Sequence, residues 1–220
     1  MNKLKKMIAS VIAMTFLSTP SIAGSGDFAG PFIQVSAVSI GAELDGQYTD
    51  GTGTVTKGTG GRIAQIGAVD IGYTLPLGDS FLMGIGVSRI PGDAEISKAD
   101  DAADKADITI KAEDFMTYYI QPTISMSENS AVYLKIGNVE ADLKVTGSFA
   151  SASNSLDGET YALGTKTMFS SGMYFSAEAG FSEFDKITIT DIVVTGDSNA
   201  GDVTADPSTA FGKFSIGYKF

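Results

Sequence analysis

The chain of 220 residues contains no cysteine and no histidine. Without cysteine there is no disulfide, no thiolate metal site and no thiol nucleophile. Without histidine the usual general base, the commonest zinc ligand and every Ser-His or Cys-His catalytic arrangement are gone. Tryptophan is also absent, so any aromatic anchoring at a membrane surface falls to the 8 Tyr and 13 Phe. Basic residues are scarce, 15 against 26 acidic, for a net charge of −11. That balance excludes the basic footprint that nucleic-acid binding needs. No apolar run approaches the roughly 20 residues of a membrane-spanning helix. Glycine is plentiful instead: 26 residues, near twice the usual share of about 7%. With only 6 Pro, this composition suits a β-rich chain with many turns.

Residues 1–23 read as an export signal. Lys3, Lys5 and Lys6 precede an apolar run from Met7 to Leu17, and Pro20, Ser21 and Ala23 supply a small-residue cleavage pattern before Gly24. Cleavage after Ala23 is expected, leaving a domain over 24–220 with 12 basic and 26 acidic residues.

Within 24–220 hydrophobicity alternates with period two. Val69, Ile71, Tyr73 and Leu75 share a face against Ala68, Asp70, Gly72 and Thr74. The same holds near 81–88, 116–125, 132–137, 174–181 and 213–220, and less cleanly near 31–42 and 160–169, making eight predicted strands. Charge falls only on the other face: Asp70, Lys135, Lys166, Glu178 and Lys213. A soluble sandwich and a membrane barrel give the same alternation. The connections separate them. They run long, short, long, short, long, short, long, the short ones near 76–80, 126–130 and 170–172. An up-and-down barrel puts all the long loops at one end and all the short turns at the other. The four long connections hold 21 of the 26 acidic residues. The prediction is an all-β, transmembrane, antiparallel eight-stranded barrel with long acidic loops on the extracellular side.

The C-terminal strand alternates Phe214, Ile216, Tyr218 and Phe220, and this terminal Phe resembles the signal that bacterial outer-membrane proteins present to their assembly machinery. YTLPLGDSF (73–81) resembles the first periplasmic hairpin, and AVYLKIGNVEADL (131–143) the fifth strand, of the small OmpA-type and opacity-porin barrels. The resemblance implies an integral outer-membrane protein in contact with lipid and, during biogenesis, with that machinery. It departs from OmpA-type proteins proper in having no peptidoglycan-binding segment after the barrel.

An eight-stranded barrel is only just wide enough for its own side chains. The two carboxylates and three ammoniums of the polar face are therefore expected to form an interior charge network. A narrow or gated polar pathway is the alternative use of the same residues. No carboxylate spacing supports a glycosidase pair. DAEISKADDAADKAD (93–107) clusters Asp100, Asp101 and Asp104 in a pattern that suits divalent cations, although neither it nor DSNAGD (197–202) has EF-hand spacing. GTGTVTKGTGG (51–61) lacks the spacing of a phosphate loop and reads as a mobile loop. No metal site or cofactor is predicted. The expected role is structural, a non-enzymatic surface protein presenting acidic loops, with a small porin or conduit as the alternative.

Overall fold

The computed structural model describes residues 25–92, 94–99, 108–146, 152–192 and 201–220. Residues 1–23, predicted from sequence to be an export signal, most of 93–107 and most of 197–202 lie outside the described residues.

A short 3-10 turn (Ser25–Phe28) leads into ten strands. They are β1 (Gly30–Thr49), β2 (Val55–Pro76), β3 (Phe81–Arg89), β4 (Ala94–Ala99) and β5 (Ile108–Ser127), then β6 (Ser130–Thr146), β7 (Ala152–Met168), β8 (Met173–Phe184), β9 (Ile187–Ile192) and β10 (Gly201–Lys219). Eight of them form an antiparallel meander, β1-β2-β3-β5-β6-β7-β8-β10, and the ring closes where β1 pairs β10, from Phe32 opposite Lys219 to Thr49 opposite Asp202. β4 and β9 resume β3 and β8 beyond short breaks and pair β5 and β10 respectively. Closure leaves this ring without a free edge, which is what a strand-built membrane protein requires.

The alternation maps onto the wall as its charges demand. Val69, Ile71, Tyr73 and Leu75 point outward, while Ala68, Asp70 and Thr74 are buried inside. Ile85, Ile120, Leu163 and Ile216 are likewise exposed on the outer face. Phe214 stands 72% exposed there, as a lipid-facing side chain would.

The strands run well past the predicted ends, and the long connections are mostly ladder rather than loop. β1 and β2 pair without interruption to Thr49 and Val55, so the hairpin turns only at 50–54. The stretch 51–61, read from sequence as a mobile loop, is largely the start of β2. The reason lies in what happens to polarity along each strand. On β6 the outward residues are Val132, Leu134 and Ile136, then Asn138, Glu140, Asp142 and Lys144. The inward ones are Tyr133 and Lys135, then Val139, Ala141 and Leu143. The pleat keeps its phase, but apolar and polar residues exchange sides near residue 138. β1 does the same: outward Ile33 and Val35 give way to Glu43 and Asp45, and inward Gln34 and Ser36 give way to Val38 and Ile40. Below the exchange the barrel faces hydrocarbon; above it the wall has the wet exterior and apolar core of a soluble sheet.

Two seams interrupt the upper wall. β3 stops at Arg89, and Pro91, which has no N–H to donate, is followed by Gly92 at φ +91°. Among the described residues no ladder joins β4 to β2 or β9 to β7. A bulge in β5 between Glu113 and Met116 places Asp114 at φ +50°. Its carboxylate accepts from the exposed Arg89 guanidinium at 3.0 Å.

Candidate functional site: the barrel interior

The interior is built in three layers. At the end with the short turns, Phe28 and Phe32 pack with Leu82, Ala131, Met168 and Tyr174 as an apolar floor. Phe28 comes from the N-terminal turn, which lies across the ends of β2, β3 and β5. At the other end Ala112, Ala141, Leu143, Leu156 and Ile187 cluster with Phe115 and Phe184, whose rings meet edge to face at 6.4 Å. The β5 bulge beside Phe115 shifts the register there and directs its ring into this cluster.

Between these layers sit the five charged residues of the inward face. Asp70 on β2 is fully buried. Lys213 on β10 donates to its two oxygens at 2.7 and 2.9 Å. Lys135 on β6 lies 2.7 Å from Glu178 on β8 and 3.8 Å from Asp70, so it bridges the two carboxylates. Tyr133 donates to Glu178 at 3.1 Å, and Lys135 also lies over the Tyr119 ring at 4.4 Å. Ser36 joins the rim, 2.9 Å from Ser215 and donating to Asp70 at 3.5 Å. Sequence grouped Lys166 with these four. The structure places it toward the floor, with its ammonium over Tyr174 at 4.4 Å and Phe32 at 4.8 Å. In the ladder it stands opposite Ala131 and Ser176, and Asp70 and Glu178 still act on its charge, at longer range than the direct ion pairs.

Aromatic rings fill the space beside these charges by lying on glycines of the neighbouring strand. Tyr133 covers Gly164, Tyr174 covers Gly217, Tyr119 covers Gly86 and Phe32 covers Gly72. A Cβ on Gly72 would stand 2.6 Å from the Phe32 ring, well inside contact distance. These pairings were not visible in sequence, because each joins residues that only the ladder register brings together.

Above the ion pairs lies a cavity of about 60 Å³, walled by Val38, Ile40, Phe115 and Phe211 and floored by Lys135, Glu178 and Lys213. It has room for a few waters. Among the described residues, no three acidic side chains lie close enough to hold a metal ion. Most of the long-connection acids described here ride on strands and face outward near the level where polarity inverts. Glu140 stands opposite Asp157, and Glu159 opposite Glu183.

The residues that sequence marked as an assembly signal, Phe214, Ile216, Tyr218 and Phe220, all face outward on the closing strand. The rings of Tyr218 and Phe220 meet at 5.1 Å, and the Phe220 N–H donates to Pro31 at 3.0 Å, fastening the two chain ends of the barrel.

A closed eight-stranded ring with an apolar exterior band, a charged interior and long hairpins at one end defines an outer-membrane type β-barrel. The comparisons agree on the fold. The structure is similar to the outer membrane protein OprG of Pseudomonas aeruginosa, with TM-score 0.54 and 15% identity over 92% of this chain and 100% of that one. It is also similar to Neisserial surface protein A (TM-score 0.48, 11% identity, 87% and 98% coverage). The attachment invasion locus protein of Yersinia pestis matches with TM-score 0.45 at 15% identity, over 87% and 99%. No protein-family model matches the chain, and no curated protein matches it in sequence. At these identities the likeness is one of architecture.

Proposed function

We propose that this is a non-enzymatic, non-conducting protein of the bacterial outer membrane, exported by residues 1–23 and exposing acidic hairpins on the cell surface. One observation carries the reading: the bore is filled by an apolar floor, a layer of ion pairs and an apolar upper cluster. The absence of histidine and cysteine from the sequence supports a non-enzymatic role. Lipid is the partner of the exposed apolar band. The assembly machinery reads the outward Phe214, Ile216, Tyr218 and Phe220. Divalent cations bridging the outward acids to anionic headgroups belong to the same reading. Planar-bilayer recording tests it: the full-length mature barrel is expected to give no stable conductance steps in molar salt. The 60 Å³ cavity favours the second reading, a narrow conduit, and regular open-channel steps would establish that instead. Amino-terminal sequencing of the membrane-inserted protein is expected to begin at Gly24; retained Met1 would refute export by this segment.

A further inference from the structure

We propose that the cavity above the ion pairs is a binding site for a small neutral amphiphile, a short-chain alcohol, aldehyde or ketone, which enters sideways where the wall is broken between β2 and the end of β3. Space, lining and entrance are separate observations. The space is about 60 Å³, enough for about two or three non-hydrogen atoms as the wall stands. Apolar side chains wall it, with the hydroxyl residues Ser88, Thr117, Thr160 and Ser182 between them. A pocket of this make-up holds an uncharged ligand by its apolar body and orients it by one polar group. On the floor, Lys213 is matched by Asp70 at 2.7 and 2.9 Å, and Lys135 by Glu178 at 2.7 Å. The pairs that floor the cavity cancel, so an ion entering it would be buried without a counter-charge.

The entrance lies where the β2–β3 ladder gives out. Its last pair is Val69 with Arg89. The next residues along, Ala68 and Ile90, both line the cavity, and among the described residues no ladder holds β2 to the chain beyond Arg89. Ile90 is tied instead to β5, its N–H donating to the Phe115 carbonyl at 3.0 Å. Special backbone flanks both of these residues. Pro91 and Gly92 (φ +91°) follow Ile90, and Asp114 (φ +50°), in the β5 bulge, precedes Phe115, which also lines the cavity. A non-glycine residue held in the left-handed region is the kind of strain that collects at ligand clamps. The exposed Arg89–Asp114 ion pair, at 3.0 Å, fastens the two strands beside the break. Its level suits entry from the membrane surface: Arg89 pairs Met116, which pairs Glu140, just above the exchange of polarity near residue 138. Molecules with one apolar and one polar end gather at that boundary, as Tyr and Trp side chains do. The apolar floor with Phe28 and Leu82 makes the site a dead end. It rests on the sealed bore of the non-conducting reading; bilayer recording tests the seal and the labelling below tests the site, so the two fail separately.

The chain has no cysteine, so a single introduced thiol reports on the cavity. Thr160→Cys places it on the cavity wall away from the entrance, and Thr52→Cys, in the exposed β1–β2 turn, is the control. The full-length barrel in lipid nanodiscs is treated with methyl methanethiolsulfonate, which is neutral, or with its trimethylammonium-ethyl or sulfonatoethyl analogue, and modification is followed by mass. Relative to the control, the neutral reagent is expected to label Thr160→Cys several-fold faster than either charged one. The cavity-bordering variant Ile90→Ala should quicken that labelling. 1-Propanol should slow it, and propylammonium at the same concentration should not. Labelling of Thr160→Cys by none of the reagents, or by all three in the control ratio, overturns the proposal, as does neutral labelling that 1-propanol leaves unchanged. A rate that Ile90→Ala leaves unchanged overturns the sideways entrance. Should Thr160→Cys fail to fold, Ser182→Cys borders the same cavity and carries the same measurement.

Discussion

At the scale of single residues, Asp70 and Lys135 have the most to lose. Each touches two opposite charges across the bore, so removing either leaves a buried charge short of its partner. Breaking a buried pair in this way costs about 3–5 kcal/mol, more than the intact pair contributes. Lys135→Ala is therefore expected to lower unfolding free energy in urea by that amount. Glu178→Ala should cost a similar amount, and the double variant clearly less than the sum, because the two act on one 2.7 Å contact. Strict additivity would show that the contact contributes nothing. A second residue-level prediction concerns Asp50, which closes the β1–β2 hairpin above the membrane. Its Oδ1 accepts from the Thr52 hydroxyl at 2.7 Å and from the Thr54 and Thr52 amides at 2.8 and 2.9 Å. The Thr52 hydroxyl first, then the Thr54 amide, hold this carboxyl below the usual carboxylate value. A lowered folded value means that the turn's stabilisation is present above the ordinary carboxylate pKa and is lost as pH falls through the lowered one. Amide protection at Thr52 and Thr54, corrected for intrinsic exchange, should therefore persist through mild acid and disappear only below about pH 4. In Asp50→Ala it should be missing at every pH.

At the scale of elements, the eight crossing segments and their inward and outward faces could be read from sequence, because lipid demands an unbroken apolar outer face. Val69, Ile71 and Tyr73 announce it directly. The strand extensions could not be read the same way. Asn138 and Glu140 interrupt the outward apolar face of β6, and this looks like the end of a strand when it marks the level where solvent replaces lipid. Glycine and threonine along 51–61 carry no apolar contrast at all, and only the pairing with β1 reveals them as strand. The glycine–aromatic pairs were hidden for a related reason, since Tyr133 and Gly164 meet only through the β6–β7 register. Their prediction follows from that packing. Gly164→Val would put two methyls and a Cβ into the Tyr133 ring and drive its hydroxyl from Glu178. Overpacking of this kind costs about 1–3 kcal/mol in urea unfolding. Gly212→Ala on the closing strand, where an added Cβ meets nothing within 4 Å, should change stability by less than about 0.5 kcal/mol. Equal costs at the two positions would mean that the ring does not rest on the glycine.

At the scale of the whole molecule, the question is what surrounds the apolar band, and a neighbouring pair of residues on β2 answers it. Ile71 is 55% exposed on the outer face, opposite Val87 of β3 and Ile33 of β1. Gly72 points inward under Phe32. Arginine at position 71 would stand in hydrocarbon, at a cost of about 2–4 kcal/mol near the midplane of a bilayer. The cost must depend on how far the guanidinium is from water, so it should be small in thin, deformable micelles and grow with acyl-chain length. Serine at position 72 meets the Phe32 ring and the backbone of Ile85 instead, and that collision is the same in any lipid. Folding Ile71→Arg and Gly72→Ser in micelles and in bilayers of two thicknesses separates the two kinds of cost within one strand. The Ile71→Arg penalty is expected to rise across the series while the Gly72→Ser penalty stays constant. If Ile71→Arg folds as stably as wild type and remains soluble without detergent, position 71 faces water. The polarity exchange near residue 138 would then need a cause other than the membrane surface.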